Sequence, residues 1–152
     1  MRTFAIFFLV ALGTLIVDQN IKTLFLEGYY REGSCIDLSL HFNKGVAFSL
    51  FAFMGPYLKW LQLLLIGAML FYIFTQGYLK RYAFPLGLLL GGAVGNLYDR
   101  FVHQGVVDYV AWHCGFEFAV FNYADVMIDL GVALILLRSY LEYRNEKKAN
   151  AL

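Results

Sequence analysis

Apolar side chains run along this chain in four long stretches, each set off by a polar cluster. Phe4–Val17 carries no charge and ends against Asp18. Trp60–Leu79 holds only Gln62 and Gln76 as strongly polar side chains. Ala83–Leu97 and Ala124–Leu141 follow, shorter or interrupted. A helix crosses the ~30 Å hydrocarbon core of a bilayer with about 20 residues, fewer where the bilayer thins. The pattern predicts an all-α membrane fold: four transmembrane helices, over about 3–20, 58–78, 82–99 and 123–141. Outer loops are expected over about 21–57 and 100–122, and residues 1–152 form a single domain. The first stretch could serve as a cleaved leader with Arg2 as its basic start. Its small residues Ala11 and Gly13 fall inside the apolar run, so it is read as a retained span.

A second periodicity lies between the first two spans. Ile36, Leu38, Leu40 and Phe42 alternate with Asp37, Ser39 and His41, the period of a half-buried strand. Phe116–Phe121 alternates less cleanly around Glu117. A small extracytoplasmic sheet resting on the bundle is expected. Arg144–Leu152 is polar and expected to fray.

Composition agrees with lipid as the solvent. The 152 residues are 61% hydrophobic and 15% charged, against about 45–50% and about 25% in soluble domains. A net charge of +1 leaves no concentrated basic face for nucleic acid. Cys35 and Cys114 lie far apart without metal-ligand spacing. They could pair in an oxidising compartment, but buried free thiols are expected. Neither is a nucleophile candidate.

The charges also orient the chain. Arg2, Lys80, Arg81, Arg138, Arg144, Lys147 and Lys148, seven of twelve basic residues, fall on the side holding both termini and the Leu79–Tyr82 connection. Positive charge near span ends marks the cytoplasm. All six aspartates fall at or near the opposite interface. That gathering is the first sign of chemistry.

Gly91–Arg100 reads GGAVGNLYDR. Gly91, Gly92 and Gly95 allow a neighbouring helix to approach closely. Asn96 and Arg100, at i and i+4, share a face at the outer end of this helix. An amide within an apolar span needs hydrogen-bond partners, so Asn96 is either helix–helix glue or part of a site; Arg100 could instead snorkel to head groups. Asp108 follows in an apolar setting that disfavours its anion. Asn122 and Asp125 stand where the chain re-enters the membrane, a spacing that suits a helix cap. Asp129 is four residues on, along the same face. Asp108 and Asp125 bracket one loop whose ends the last two spans hold together. Two carboxylates at close range share a proton, so one can activate water while the other polarises a carbonyl. Such a pair titrates as a unit. His41, His103 and His113 lack metal-ligand spacing.

At these residues the sequence resembles the bacterial lipoprotein signal peptidases, also called signal peptidase II. The resemblance rests on Asp18–Gln19 with Lys22, the block Asn43–Ser49, Gly91–Arg100, Gly105–Tyr109 and Phe121–Asp125, in that order. It implies a membrane aspartic endopeptidase with four helices, both termini cytoplasmic and an extracytoplasmic β-cradle. The active site would lie at the extracytoplasmic face of the bacterial cytoplasmic (inner) membrane. Such enzymes cut diacylglyceryl-modified prolipoproteins on the amino side of the lipidated cysteine. By motif, Asp108 and Asp125 would be the catalytic pair. Asn43, Asn96, Arg100 and Asn122 would position substrate or brace the pair. Asp18 and Lys22 would hold the outer end of the first span, and Gly45 would give the cradle backbone close access. The resemblance implies no metal or organic cofactor; the expected partners are substrate and membrane lipids, with a monomer as the functional form. Val46, Ile21, Tyr109 and Asp129 depart from the family pattern. A proton-coupled small transporter is the rival reading and a non-enzymatic scaffold the next. Transporters place ionisable groups along a transmembrane path, whereas these acids gather at one end.

Overall fold

In the computed structural model, residues 1–45 and 54–150 are described. The chain forms α1 (Arg2–Leu26), β1 (Ile36–Asn43), α2 (Gly55–Thr75), α3 (Leu79–Val102), β2 (Val106–Trp112) and α4 (Tyr123–Ala149). Val46, Ala47, Phe48 and Ser49 of the second motif block lie outside the described residues.

The central helix is α3, packed against α1, α4 and, less extensively, α2. Its glycines make this possible. A methyl group on Gly91 would stand 2.5 Å from the Ala11 carbonyl oxygen of α1, and one on Gly92 2.5 Å from the Ala124 carbonyl oxygen of α4. Bare backbone at these positions brings a helix in on each side of α3.

On α1 the buried residues are Phe7, Ala11, Thr14, Asp18, Lys22 and Phe25. They recur every three or four positions and so form one face. Along that face the chemistry changes from apolar to ionic. Asp18 and Lys22 are as fully buried as Phe7, so the ionic end needs internal partners.

Large apolar side chains stand exposed on the outside of the bundle, among them Phe8, Leu12, Leu64 and Phe71. Surface of that kind and extent marks contact with something other than water. By length and composition α1 and α2 could each cross a membrane. The other two helices are long as well, but charged ends lower their hydropathy: Lys80, Arg81, Asp99 and Arg100 on α3, and Asp125, Asp129 and Arg138 on α4.

Helix ends differ from the sequence-based boundaries in instructive ways. α1 continues past residue 20 to Leu26 because Lys22 and Phe25 still have interior contacts; Gly28, at φ 99°, turns the chain after it. Between α2 and α3 lie only Gln76–Tyr78, with Gly77 at φ 70°. Lys80 and Arg81 therefore belong to the start of α3 and not to a connecting loop. The helix kinks at Tyr82, and Pro85 follows. Proline offers no N–H to the carbonyl four residues back. That carbonyl, on Arg81, accepts a hydrogen bond from Arg138 Nη1 of α4, and Arg81 pairs with Glu142. The tail expected to fray is instead helical to Ala149.

The sheet has two antiparallel strands, paired from Ile36 with Trp112 to Asn43 with Val106, and a register slip falls between Leu38 and His41. The expected second strand, Phe116–Phe121, does not form; Phe121 makes only an isolated bridge to Val110. Val106–Trp112 pairs instead. Val106, Val107, Asp108 and Tyr109 are all buried, so the segment lacks the alternation that marks a half-exposed strand. The thiols expected to be free are joined: Cys35 and Cys114 form a disulfide across 79 positions. They sit just beyond the Ile36–Trp112 pair, where the register of the sheet brings their backbones together. Cys35 is half-buried and Cys114 exposed, not enclosed as anticipated.

Candidate active site

Asp125 is positioned by the first turn of α4. A helix leaves its first four N–H groups without intrahelical partners. Here Tyr123 N–H donates to the Tyr109 hydroxyl at 2.9 Å, and Ala124 N–H to Asp18 Oδ1 at 3.1 Å. Asp125 N–H donates to Asn122 Oδ1 at 2.9 Å, while Asn122 N–H returns a bond to Asp125 Oδ2 at 3.1 Å. This is a reciprocal capping box. Cap and site are thus one arrangement. The box uses one oxygen of Asp125, and Asn96 Nδ2 donates to the other at 2.8 Å.

Asp108 is carried by β2. Asn122 Nδ2 donates to its Oδ1 at 2.7 Å, and Asn43 Nδ2 to its Oδ2 at 3.1 Å. Asn43 reaches it because it sits opposite Val106, a diagonal neighbour of Asp108 on the sheet. Asn122 therefore binds both aspartates: its carbonyl oxygen takes the backbone of Asp125 and its amide grips the carboxylate of Asp108. Both aspartates line one cavity of about 390 Å³, together with Asn43, Asn96, Arg100 and Asp129. Burial first, then the charge of Asp125, pushes the Asp108 carboxyl up to about 7; the bonds from Asn43 and Asn122 oppose the rise. Near neutral pH it holds a proton for much of the time.

Behind this pair lies an ionic knot. Lys22 Nζ is 2.8 Å from Asp18 Oδ2, 2.6 Å from Asp99 Oδ2 and 2.9 Å from Asn96 Oδ1. Gln19 bonds both acids at 3.1 Å. Each acid then holds the residue just before a candidate catalytic aspartate. Asp18 takes the N–H of Ala124, and Asp99 takes the N–H of Val107 at 3.1 Å. Asn96 completes the link by accepting from Asn122 at 3.1 Å.

Arg100 stands apart from the carboxylates. Its Nη2 donates to the Gly45 carbonyl at 2.6 Å and its Nε to Gln62 Oε1 at 3.0 Å. Its Nη1 is buried with no partner among the described residues. Gln62 Nε2 donates in turn to the Ala93 carbonyl at 2.9 Å, joining α2 to α3.

The structure thus brings Asn43, Gly45, Asn96, Arg100, Asn122, Asp18 and Lys22 into one connected network around Asp108 and Asp125. Three contributors were not singled out from sequence. Asp99 lies inside the third motif block, yet a second acid beside Arg100 reads as an interface charge. Gln62 was noted only as a polar residue in a span. Gln19 was seen only as part of a motif. Among the described residues no group of three or more His, Cys, Asp or Glu is arranged to hold a metal ion.

The family model described as Signal peptidase (SPase) II matches residues 10–141. This chain belongs to the signal peptidase II family. A lipoprotein signal peptidase of Sulfurovum sp. is 79% identical over 92% of this chain and 96% of its own length. Those of Sulfurimonas denitrificans and Helicobacter pylori strain Shi470 are 55% and 48% identical, over 91% and 97% of this chain and 90% and 93% of theirs. Among solved structures, a bacterial membrane enzyme obtained by the in meso method at 2.3 Å is 25% identical with a TM-score of 0.77, covering 90% of this chain and 88% of that one. Family membership makes the protein a peptidase of bacterial membranes. The transporter reading finds no support in these relatives.

Proposed function

We propose that this protein is an aspartic endopeptidase that removes signal peptides from diacylglyceryl-modified prolipoproteins, with Asp108 and Asp125 as its catalytic pair. The observation that carries the proposal is their shared cavity, with Asn122 bonded to both and the Asp108 carboxyl pushed up to about 7. One carboxylate takes a proton from water, whose oxygen attacks the scissile carbonyl carbon. The partner, carrying the shared proton, gives it to the carbonyl oxygen. The tetrahedral species collapses as the leaving nitrogen gains a proton and the C–N bond breaks, freeing the amine of the lipidated cysteine. Arg100 Nη1 is available for a substrate carbonyl, and Asn43 and Asn96 hold the carboxylates in place.

In this reading all of residues 1–152 form one domain, α1 to α4 each cross the inner membrane, and the protein works as a monomer. Arg81 and Arg138 meet at one end of α3 and α4 while the aspartates gather at the other. By the positive-inside rule the basic end and both termini are cytoplasmic, and the pair faces outward. Cleavage then happens where an apolar signal helix leaves lipid. Separate Asp108→Asn and Asp125→Asn variants, incubated with a lipid-modified precursor, are expected to lose on the order of a thousandfold or more in turnover. Cleavage at the parent rate by either variant overturns the assignment.

A further inference from the structure

One polar residue of the cavity has no part in the scheme above. Asp129 lies four positions beyond Asp125 on α4 and lines the same cavity, beside Leu61, Leu65 and Ile128. Four residues of helix rise about 6 Å, so its carboxyl sits one turn deeper along α4 than the catalytic one. Among the described residues nothing donates a hydrogen bond to it and no cation pairs with it. Asp18, Asp99, Asp108 and Asp125 each have donors. Asp129 is exposed at the cavity, so its carboxylate is open to the space that substrate would enter, and a donor arriving with substrate would be its first partner among these groups.

We propose that Asp129 is a specificity-determining residue that accepts a hydrogen bond from a hydroxyl side chain of the signal peptide. The inference rests on the peptidase reading of the same cavity and adds the feature of substrate that the cavity selects. The signal peptide lies on the membrane side of the cleaved bond, the direction in which Asp129 is displaced from Asp125. An extended chain covers the ~6 Å offset in about two residues at about 3.3 Å each. The hydroxyl therefore belongs about two residues before the cleaved bond. Serine or threonine suits the position, because a neutral donor enters an apolar channel at far lower cost than lysine or arginine.

The test compares lipid-modified precursors carrying threonine or its near-isostere valine at the second and third positions before the cleaved bond. The readout is the threonine-to-valine ratio of kcat/KM for the parent, Asp129→Leu and Asp129→Asn. A hydrogen bond to a charged acceptor supports a preference of about tenfold or more in the parent. The ratio is expected to fall to about one in Asp129→Leu. Asn keeps an acceptor oxygen, so its ratio should lie between; it also supplies the measurement if the Leu variant fails to fold. Equal ratios in parent and both variants overturn the proposal, as does a parent ratio near one at both positions. A parent that cleaves none of the precursors refutes the peptidase reading itself, a distinct outcome.

Discussion

Replacing Asn122 with serine separates the two tasks this side chain performs. Serine caps a helix about as well as asparagine, so α4 should keep its start and its bond from the Asp125 N–H. What is lost is Nδ2, and with it the 2.7 Å bond to Asp108 Oδ1, the 3.1 Å bond to Asn96 and the 3.2 Å bond to the Val107 carbonyl. A hydrogen bond to a charged group contributes about 1.5–3 kcal/mol. Lost from the reacting arrangement, that corresponds to a fall of roughly 10- to 150-fold in kcat/KM. The same bond favours the ionised form of Asp108 and holds its carboxyl below where burial alone would put it. Its removal should raise that carboxyl above about 7, by about one to two pH units at 1.36 kcal/mol per unit. In the proposed mechanism activity needs the shared proton, so the parent rate should fall as pH rises through the neutral range, and the fall should move to higher pH in the variant. The assay is kcat/KM against pH on a diacylglyceryl-modified precursor in detergent, with circular dichroism to verify helix content. A slower enzyme whose alkaline fall stays in place, or moves to lower pH, would refute the claim that Asn122 acts through the charge of Asp108.

Two further outcomes follow from the packing. Lys22→Met leaves Asp18 and Asp99 buried without their cation, which should cost about 3–5 kcal/mol in detergent unfolding; adding Asp99→Asn should recover part of it, and strict additivity of the two changes would contradict the shared knot. Gly92→Ala places a methyl group 2.5 Å from the Ala124 carbonyl and 2.9 Å from the Ile128 side chain, so α4 must shift. A loss of about 1–3 kcal/mol in stability is expected, with a fall in kcat exceeding any rise in KM; unchanged kinetics would mean that α4 does not set the position of Asp125.

Much of this arrangement was legible in the sequence because membrane proteins write in strong contrasts. Four apolar stretches foretold four helices, and the alternation at Ile36–Phe42 foretold β1. Asp108 and Asp125 stood out as acids bracketing one loop. What stayed hidden depended on burial. Val106–Trp112 shows no alternation because its first four residues are enclosed on both faces, so Asp108 looked like a loop residue when it is held in a strand. Asp99 was obscured for a similar reason: its worth comes from Lys22, 77 positions away in the chain but 2.6 Å away in space. The disulfide was misread because thiol pairing depends on the sheet's register, and the strand that sets that register was itself missed.

The bond from the Asp18 carboxylate to the Ala124 N–H has a consequence for how the protein is born. Helix α1 supplies a contact for the opening turn of α4, so the site is tied together from residue 18 to residue 124. Under the proposed mechanism a chain that lacks α4 lacks Asp125 and should not cleave, and the pair is complete only once α4 has docked against α1.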